Sequence, residues 1–170
     1  MDFIIFILLL FLITTGIAAY SFAPWVPAWK KDLPRIFALA DLKQGEKFYD
    51  FGCGDGKTVI YAAKNFSAQA IGVELALPLF LYCKVKQLFL QNKKLRFKYG
   101  NLFKQDLSDA NVIYVFGTPR TLQDKFKQKL TKELRQGTRV ISYTFPIAGW
   151  EPVKVSKPTE KDIAIYLYKM

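Results

Sequence analysis

The sequence has no histidine among its 170 residues. That absence removes histidine general bases, histidine-based triads and histidine metal sites together. Cysteine is nearly absent as well: Cys53 and Cys83 stand thirty residues apart and form no CxxC pair. Free thiols in a reducing compartment are expected, and no metal site is. Arginine is scarce, with five residues, and the lysines are scattered along the chain without an RNA-binding signature. The net charge of +11 therefore does not point to nucleic acid as a partner. A basic surface held beside anionic lipid accounts for it, and so does a solvated lysine-rich surface with no specific purpose. Internal repeats and low-complexity blocks are missing too.

What the sequence has instead is a long apolar run near its start. Phe3 to Ala23 carries no charge for 21 residues, about 31 Å as a helix, against a hydrocarbon core of about 30 Å. A cleavable secretory signal is the competing reading, because Ser21-Phe22-Ala23 looks like a cleavage site. Against it, only Asp2 precedes the run, no basic leader is present, and Pro24 would follow the cut. The expectation is a retained single-pass anchor over 3–23. Lys30, Lys31 and Arg35 follow it, which by the positive-inside rule puts the rest of the chain on the cytoplasmic side of the membrane. Tyr20, Trp25 and Trp29 suit an interfacial aromatic belt. Residues 24–34 read as a linker whose prolines resist regular structure.

Residues 35–170 then alternate between strand and helix patterns. A short helix over Leu33–Leu42 ends in a Lys43-Gln44-Gly45 turn. Lys47–Phe51 reads as a strand, Gly56–Lys64 as a helix, Ala68–Glu74 as a strand and Pro78–Gln91 as a helix. Leu95–Tyr99 is a third strand. Asn111–Phe116 is a continuous apolar run, as a parallel strand buried on both faces requires. Thr121 with Asp124 resembles a capping box ahead of a helix marked by Leu122, Phe126, Leu130 and Leu134. Thr138–Tyr143 is a fifth strand, and Pro152–Ser156 with Asp162–Tyr168 a closing hairpin. This alternation predicts an α/β fold with a Rossmann-like, doubly wound, mostly parallel sheet.

The segment DFGCGDGKT, Asp50 to Thr58, falls where such sheets bind ligands, at the C-terminal ends of the strands. It is not a phosphate-binding P-loop, because the first glycine would have to stand at Phe51. Nor is it a dinucleotide fingerprint, whose third glycine would have to replace Lys57. It reads D-x-G-x-G-x-G, from Asp50 through Gly52, Gly54 and Gly56. Glu74 ends the next strand; an ionised carboxylate there can accept both hydroxyls of a ribose.

This pattern resembles class I S-adenosylmethionine-dependent methyltransferases. PWVPA (Pro24 to Ala28), IGVE (Ile71 to Glu74), NLFKQDLSDANVIYVFG (Asn101 to Gly117) and RVISYTFPIAGWEP (Arg139 to Pro152) narrow the resemblance. In order and spacing they look like the small membrane-anchored protein-lysine methyltransferases, whose mitochondrial members modify the c-type rotor protein of ATP synthase and the adenine nucleotide translocase.

The resemblance implies S-adenosylmethionine as cofactor and a lysine-bearing protein, itself membrane-associated, as substrate. Cofactor contacts would come from Trp25, Val26, Pro27, Asp50, Phe51, Gly52, Cys53, Gly54, Gly56, Glu74, Asn101, Leu102 and Phe116. Many relatives have aspartate where Asn101 stands, so that contact loses a charge here. Phe116, Gly117, Thr118 and Pro119 would frame the methyl-transfer opening. Tyr143 and Trp150, with Tyr114 and Phe145, could complete an aromatic channel. Each aromatic also has a plainer reading: Tyr114 as sheet core, Trp150 as a fastener of the hairpin. The competing functions are methylation of lipid, small molecule or RNA, and a cofactor-binding pseudo-enzyme.

Overall fold

The computed structural model describes residues 2–170 and contains a seven-stranded mixed sheet behind one long N-terminal helix. The helix, α1, runs Asp2–Ser21. Its stretch Phe3–Ser21, with mean hydropathy 2.6, is long and apolar enough to cross a membrane. Phe22, directly after it, is buried in the body of the domain.

A 3-10 turn at Lys30–Asp32 leads into α2 (Leu33–Ala40). The prolines of 24–34 thus leave room for one turn, and Pro34 sits in the first turn of α2, where its missing N–H costs nothing. The remaining elements are β1 (Lys47–Phe51), α3 (Lys57–Asn65), β2 (Gln69–Glu74), α4 (Leu77–Leu90), β3 (Leu95–Tyr99), β4 (Val112–Val115), α5 (Asp124–Glu133), β5 (Arg139–Tyr143), β6 (Lys154–Ser156) and β7 (Ile165–Lys169).

The strand order is β3-β2-β1-β4-β5-β7-β6. The first five strands are parallel to one another; β7 and β6 form the expected antiparallel hairpin, with β7 paired to β5. The order reverses between β1 and β4, and the loop after β1 opens at that point.

Alternation along the strands divides the core in two. Phe48, Val112, Tyr114 and Ile141 face a layer containing α2, α3 and α4. Tyr49, Phe51, Ile113 and Val115 face Phe126 and Leu130 of α5, together with Phe22. The four-residue spacing of Leu122, Phe126 and Leu130 is therefore a buried stripe. The helix itself begins at Asp124, not Thr121, and its N-cap, Gln123, makes no side-chain cap bond. The Thr121 hydroxyl donates instead to the Thr118 carbonyl at 2.9 Å; the Asp124 side chain lies outside the described residues.

A second polar cluster ties the segment after α1 to the sheet. The buried Asp32 carboxylate accepts from the Tyr143 hydroxyl at 2.6 Å and from Arg35 at 3.1 Å. Arg35 also donates to the carbonyls of Ser156 and Ile163. Its charge is spent inside the domain, so the flanking positive charge next to α1 rests on the exposed Lys30 and Lys31.

Candidate active site

The three glycines after β1 turn the chain through left-handed backbone conformations that only glycine adopts cheaply. Gly54 has φ 56°, and a Cβ there would run into the Trp25 indole. Gly56, φ 73°, is the N-cap of α3, and a Cβ would lie 2.6 Å from the Phe97 ring. The loop is thereby pressed between two aromatic rings. It forms the floor of a cleft of about 890 Å³, counted out to its open mouth, within the range typical of small-molecule sites.

Glu74 organises this loop. Its Oε2 accepts from the Gly54 amide at 2.8 Å, and its Oε1 from the amides of Leu75 (2.9 Å) and Ala76 (2.8 Å). A carboxylate has about four lone-pair positions, so the side chain as placed offers one free acceptor position rather than the two that a pair of ribose hydroxyls would use. Asp50 is not the group that holds the loop amides. It accepts from the Thr58 hydroxyl on α3 and is fully buried. Burial pushes its carboxyl up to about 7; the Thr58 hydroxyl opposes this, and Glu74 and Asp55 add to it.

Tyr114 is Asp50's register partner on β4 and lines the same cleft. Its hydroxyl is buried with no partner among the described residues, a donor aimed at something the protein does not supply. Burial, with the charge of Asp50, holds the phenol well above its usual range, so it stays protonated. Asn101 borders the cleft, and its Oδ1 accepts from the Phe103 amide at 2.9 Å, capping a 3-10 turn over Leu102–Lys104.

The roof is a strap over residues 22–28. The Phe22 ring lies 3.5 Å from where a Gly52 Cβ would stand, Trp25 covers Gly54, and Lys57 Nζ donates to the Ala28 carbonyl at 3.0 Å. Thr15, Ala18 and Ala19 of α1 join the wall.

Of the residues expected from the sequence, Trp25, Val26, Pro27, Asp50, Gly52, Cys53, Gly54, Glu74, Asn101, Leu102 and Phe116 line one cleft. Phe51 does not: it alternates onto the opposite face and meets Phe126 edge-on. Gly56 serves the turn from beneath. Tyr143 stands one layer back, its ring edge-on to Phe116 at 4.9 Å and its hydroxyl tied to Asp32. Thr118 bonds within its own turn, and Pro119 is exposed. Trp150 packs on Tyr168 at 5.7 Å, beside a different hollow. Sequence reasoning missed Lys57, Thr58, Leu79 and the end of α1. The signal for the last was the change from large residues to TTGIAA (Thr14 to Ala19), since small residues let a helix approach its neighbour closely.

The family model described as the ANTKMT methyltransferase domain matches residues 50–154, from the cleft floor to the closing hairpin. The chain belongs to this family. Among relatives of the methyltransferase, the protein-lysine N-methyltransferase of Saccharolobus islandicus is 34% identical over 154 residues, covering 85% of this chain and 92% of that protein. The human lysine N-methyltransferase named for the c-type rotor protein of ATP synthase is 31% identical over 134 residues, 78% of this chain. The methyltransferase domain spans little more than half of that longer protein, 56%. In structure it resembles the RNA methyltransferase of Salinibacter ruber in complex with S-adenosyl-L-homocysteine, with a TM-score of 0.79 and 30% identity over 85% of this chain and 93% of that one.

The methyltransferase uses S-adenosylmethionine, and the cleft fits it. The unpartnered Tyr114 hydroxyl, the free Glu74 acceptor position and the buried Asp50 carboxylate face a ligand rich in hydroxyl groups and positive charge. A cationic ligand in this cleft favours ionised Asp50, so affinity is expected to rise with pH up to about 7 and then level off. The limiting slope is about tenfold per pH unit. Calorimetric titration with S-adenosylmethionine checks this; a flat wild-type profile, or an unchanged one in Asp50→Asn, would contradict it.

Proposed function

We propose that the protein transfers methyl groups from S-adenosylmethionine to lysine side chains of a membrane-associated protein, with α1 as a single-pass anchor and the catalytic domain on the cytoplasmic side. The observation that carries this reading is the shared wall of the cleft. Residues of an apolar helix of membrane-crossing length and the glycine loop line the same space, so the opening lies where the chain would leave the bilayer. Exposed Lys30 and Lys31 support the orientation. The names of the Saccharolobus and human relatives support the substrate class.

S-adenosylmethionine supplies an activated methyl carbon. The protein's own task is to bring an uncharged amine to it. Deprotonating a free lysine at pH 7 costs about 4.6 kcal/mol, and a dry site lowers that cost by penalising the ammonium form. Phe116 and Tyr114 supply the dry wall, with Tyr143 edge-on behind Phe116. The Tyr114 hydroxyl, held protonated, can donate a hydrogen bond but not remove the amine's proton. With no histidine in the chain, the proton passes to water, and alignment does the rest.

Full-length protein incubated with methyl-labelled S-adenosylmethionine and membrane extract is expected to label a protein band. Acid hydrolysis of that band should release methyl-lysine. Label recovered in RNA, the substrate class in the Salinibacter relative's name, or in extracted lipid would overturn the lysine assignment. Cofactor binding without any transfer would overturn the enzymatic reading itself.

A further inference from the structure

Helix α4 is apolar on two sides. One side, with Cys83, Phe80 and Leu90, packs into the core. On the other, every exposed residue is apolar: Leu81, Tyr82, Val85, Leu88 and Phe89, the last at 84% exposure. At about 100° per residue these five fall within an arc of about 120°. Lys84 and Lys86 lie about 40° beyond its two edges on the same wheel. The Lys86 ammonium sits over the Tyr82 ring at 4.2 Å. Beyond the helix, Lys93, Lys94, Arg96 and Lys98 are exposed along the neighbouring edge strand. An apolar stripe rimmed with lysine is the composition of a helix that lies in a membrane interface.

Its place in the fold fits that reading. Helix α4 packs against α1, and the Leu77 amide donates to Thr14 Oγ1 at 3.4 Å. Thr14 precedes the last residue of α1 by seven residues, about 10 Å along the axis. The start of α4 is therefore displaced by that distance toward the membrane side of the end of α1, comparable to the depth of about 5–10 Å at which interfacial helices lie.

We propose that the Leu81–Phe89 face of α4 is a lipid-binding surface that beds the domain into the interface of an anionic bilayer. This rests on the reading of α1 as a membrane anchor. A second copy of the chain is a poorer occupant, because a twofold contact would bring the lysine rims of the two copies together.

The test uses the full chain reconstituted in vesicles containing phosphatidylserine. An environment-sensitive fluorophore is attached to Leu88→Cys, to Ile5→Cys on α1, or to Lys161→Cys on an exposed loop as control; the two native cysteines are buried. Nitroxides carried at shallow acyl positions are expected to quench most of the Leu88 label, and deep ones the Ile5 label, while the Lys161 label is untouched. Quenching at position 5 but not at 88 overturns the α4 proposal and leaves the anchor standing. Quenching at neither position overturns the anchor reading itself. A Leu88 label shielded from aqueous iodide yet unquenched by lipid gives the face to protein, which also overturns the proposal.

Discussion

Glu74→Ala is expected to unfold the glycine loop and to weaken cofactor binding together. The carboxylate satisfies three backbone amides, of Gly54, Leu75 and Ala76, at a site only 5% exposed. Removing an acceptor leaves buried donors unpaired, at about 1–3 kcal/mol each. Two such penalties would consume much of a domain's usual stability of about 5–15 kcal/mol. Affinity for S-adenosylhomocysteine should fall tenfold or more, about 1.4 kcal/mol. Glu74→Gln separates the two effects. Its amide oxygen can still serve Leu75 and Ala76, but its NH₂ group would face the Gly54 N–H. Stability should be partly restored while affinity stays low. Chemical denaturation and calorimetric titration of both variants measure this, and unchanged affinity in Glu74→Gln would remove Glu74 from the binding site.

The second large effect lies outside the cleft. Asp32→Ala strips the charge partner from Arg35 and the acceptor from the Tyr143 hydroxyl, both inside the domain. Breaking a buried pair in this way typically costs about 3–5 kcal/mol. Tyr143→Phe loses only one hydrogen bond and keeps the ring against Phe116, so about 1 kcal/mol is expected. In a double-mutant cycle the two changes should be strongly non-additive, since they share a partner. Strict additivity would mean that Asp32 and Tyr143 do not act as a unit. Methyl transfer by Tyr143→Phe should remain close to wild type, because its hydroxyl points away from the cleft toward Asp32.

The loop and its acid were legible because their spacing is chemistry: glycines where the backbone turns left-handed, a carboxylate where the next strand ends. The sheet was legible from alternation, and the buried stripe of α5 from its four-residue spacing. Legibility failed where side chains leave regular elements. Phe51 is adjacent to Asp50, but period-two alternation sends it to the other face of the sheet. Tyr143 is on the right face, yet Asp32 holds it one layer behind Phe116. Trp150 lies after the last strand of the parallel set, in a loop with no period to read, and folds onto Tyr168. The docking of α1 was hidden for a different reason. Hydropathy scores a helix against lipid and cannot register that Thr14, Thr15, Ala18 and Ala19 have a protein neighbour.

The direct passage from Ser21, the last residue of α1, to Phe22, already inside the core, leaves no slack between helix and domain. The two are keyed like a shaft in its hub. One residue added at this joint would turn α1 by about 100° and swing the half-buried line of Ile7, Phe11, Thr14 and Ala18 off its seat. The height at which the cleft opens above the bilayer is thus set by the phase of a helix, and no flexible tether can adjust it.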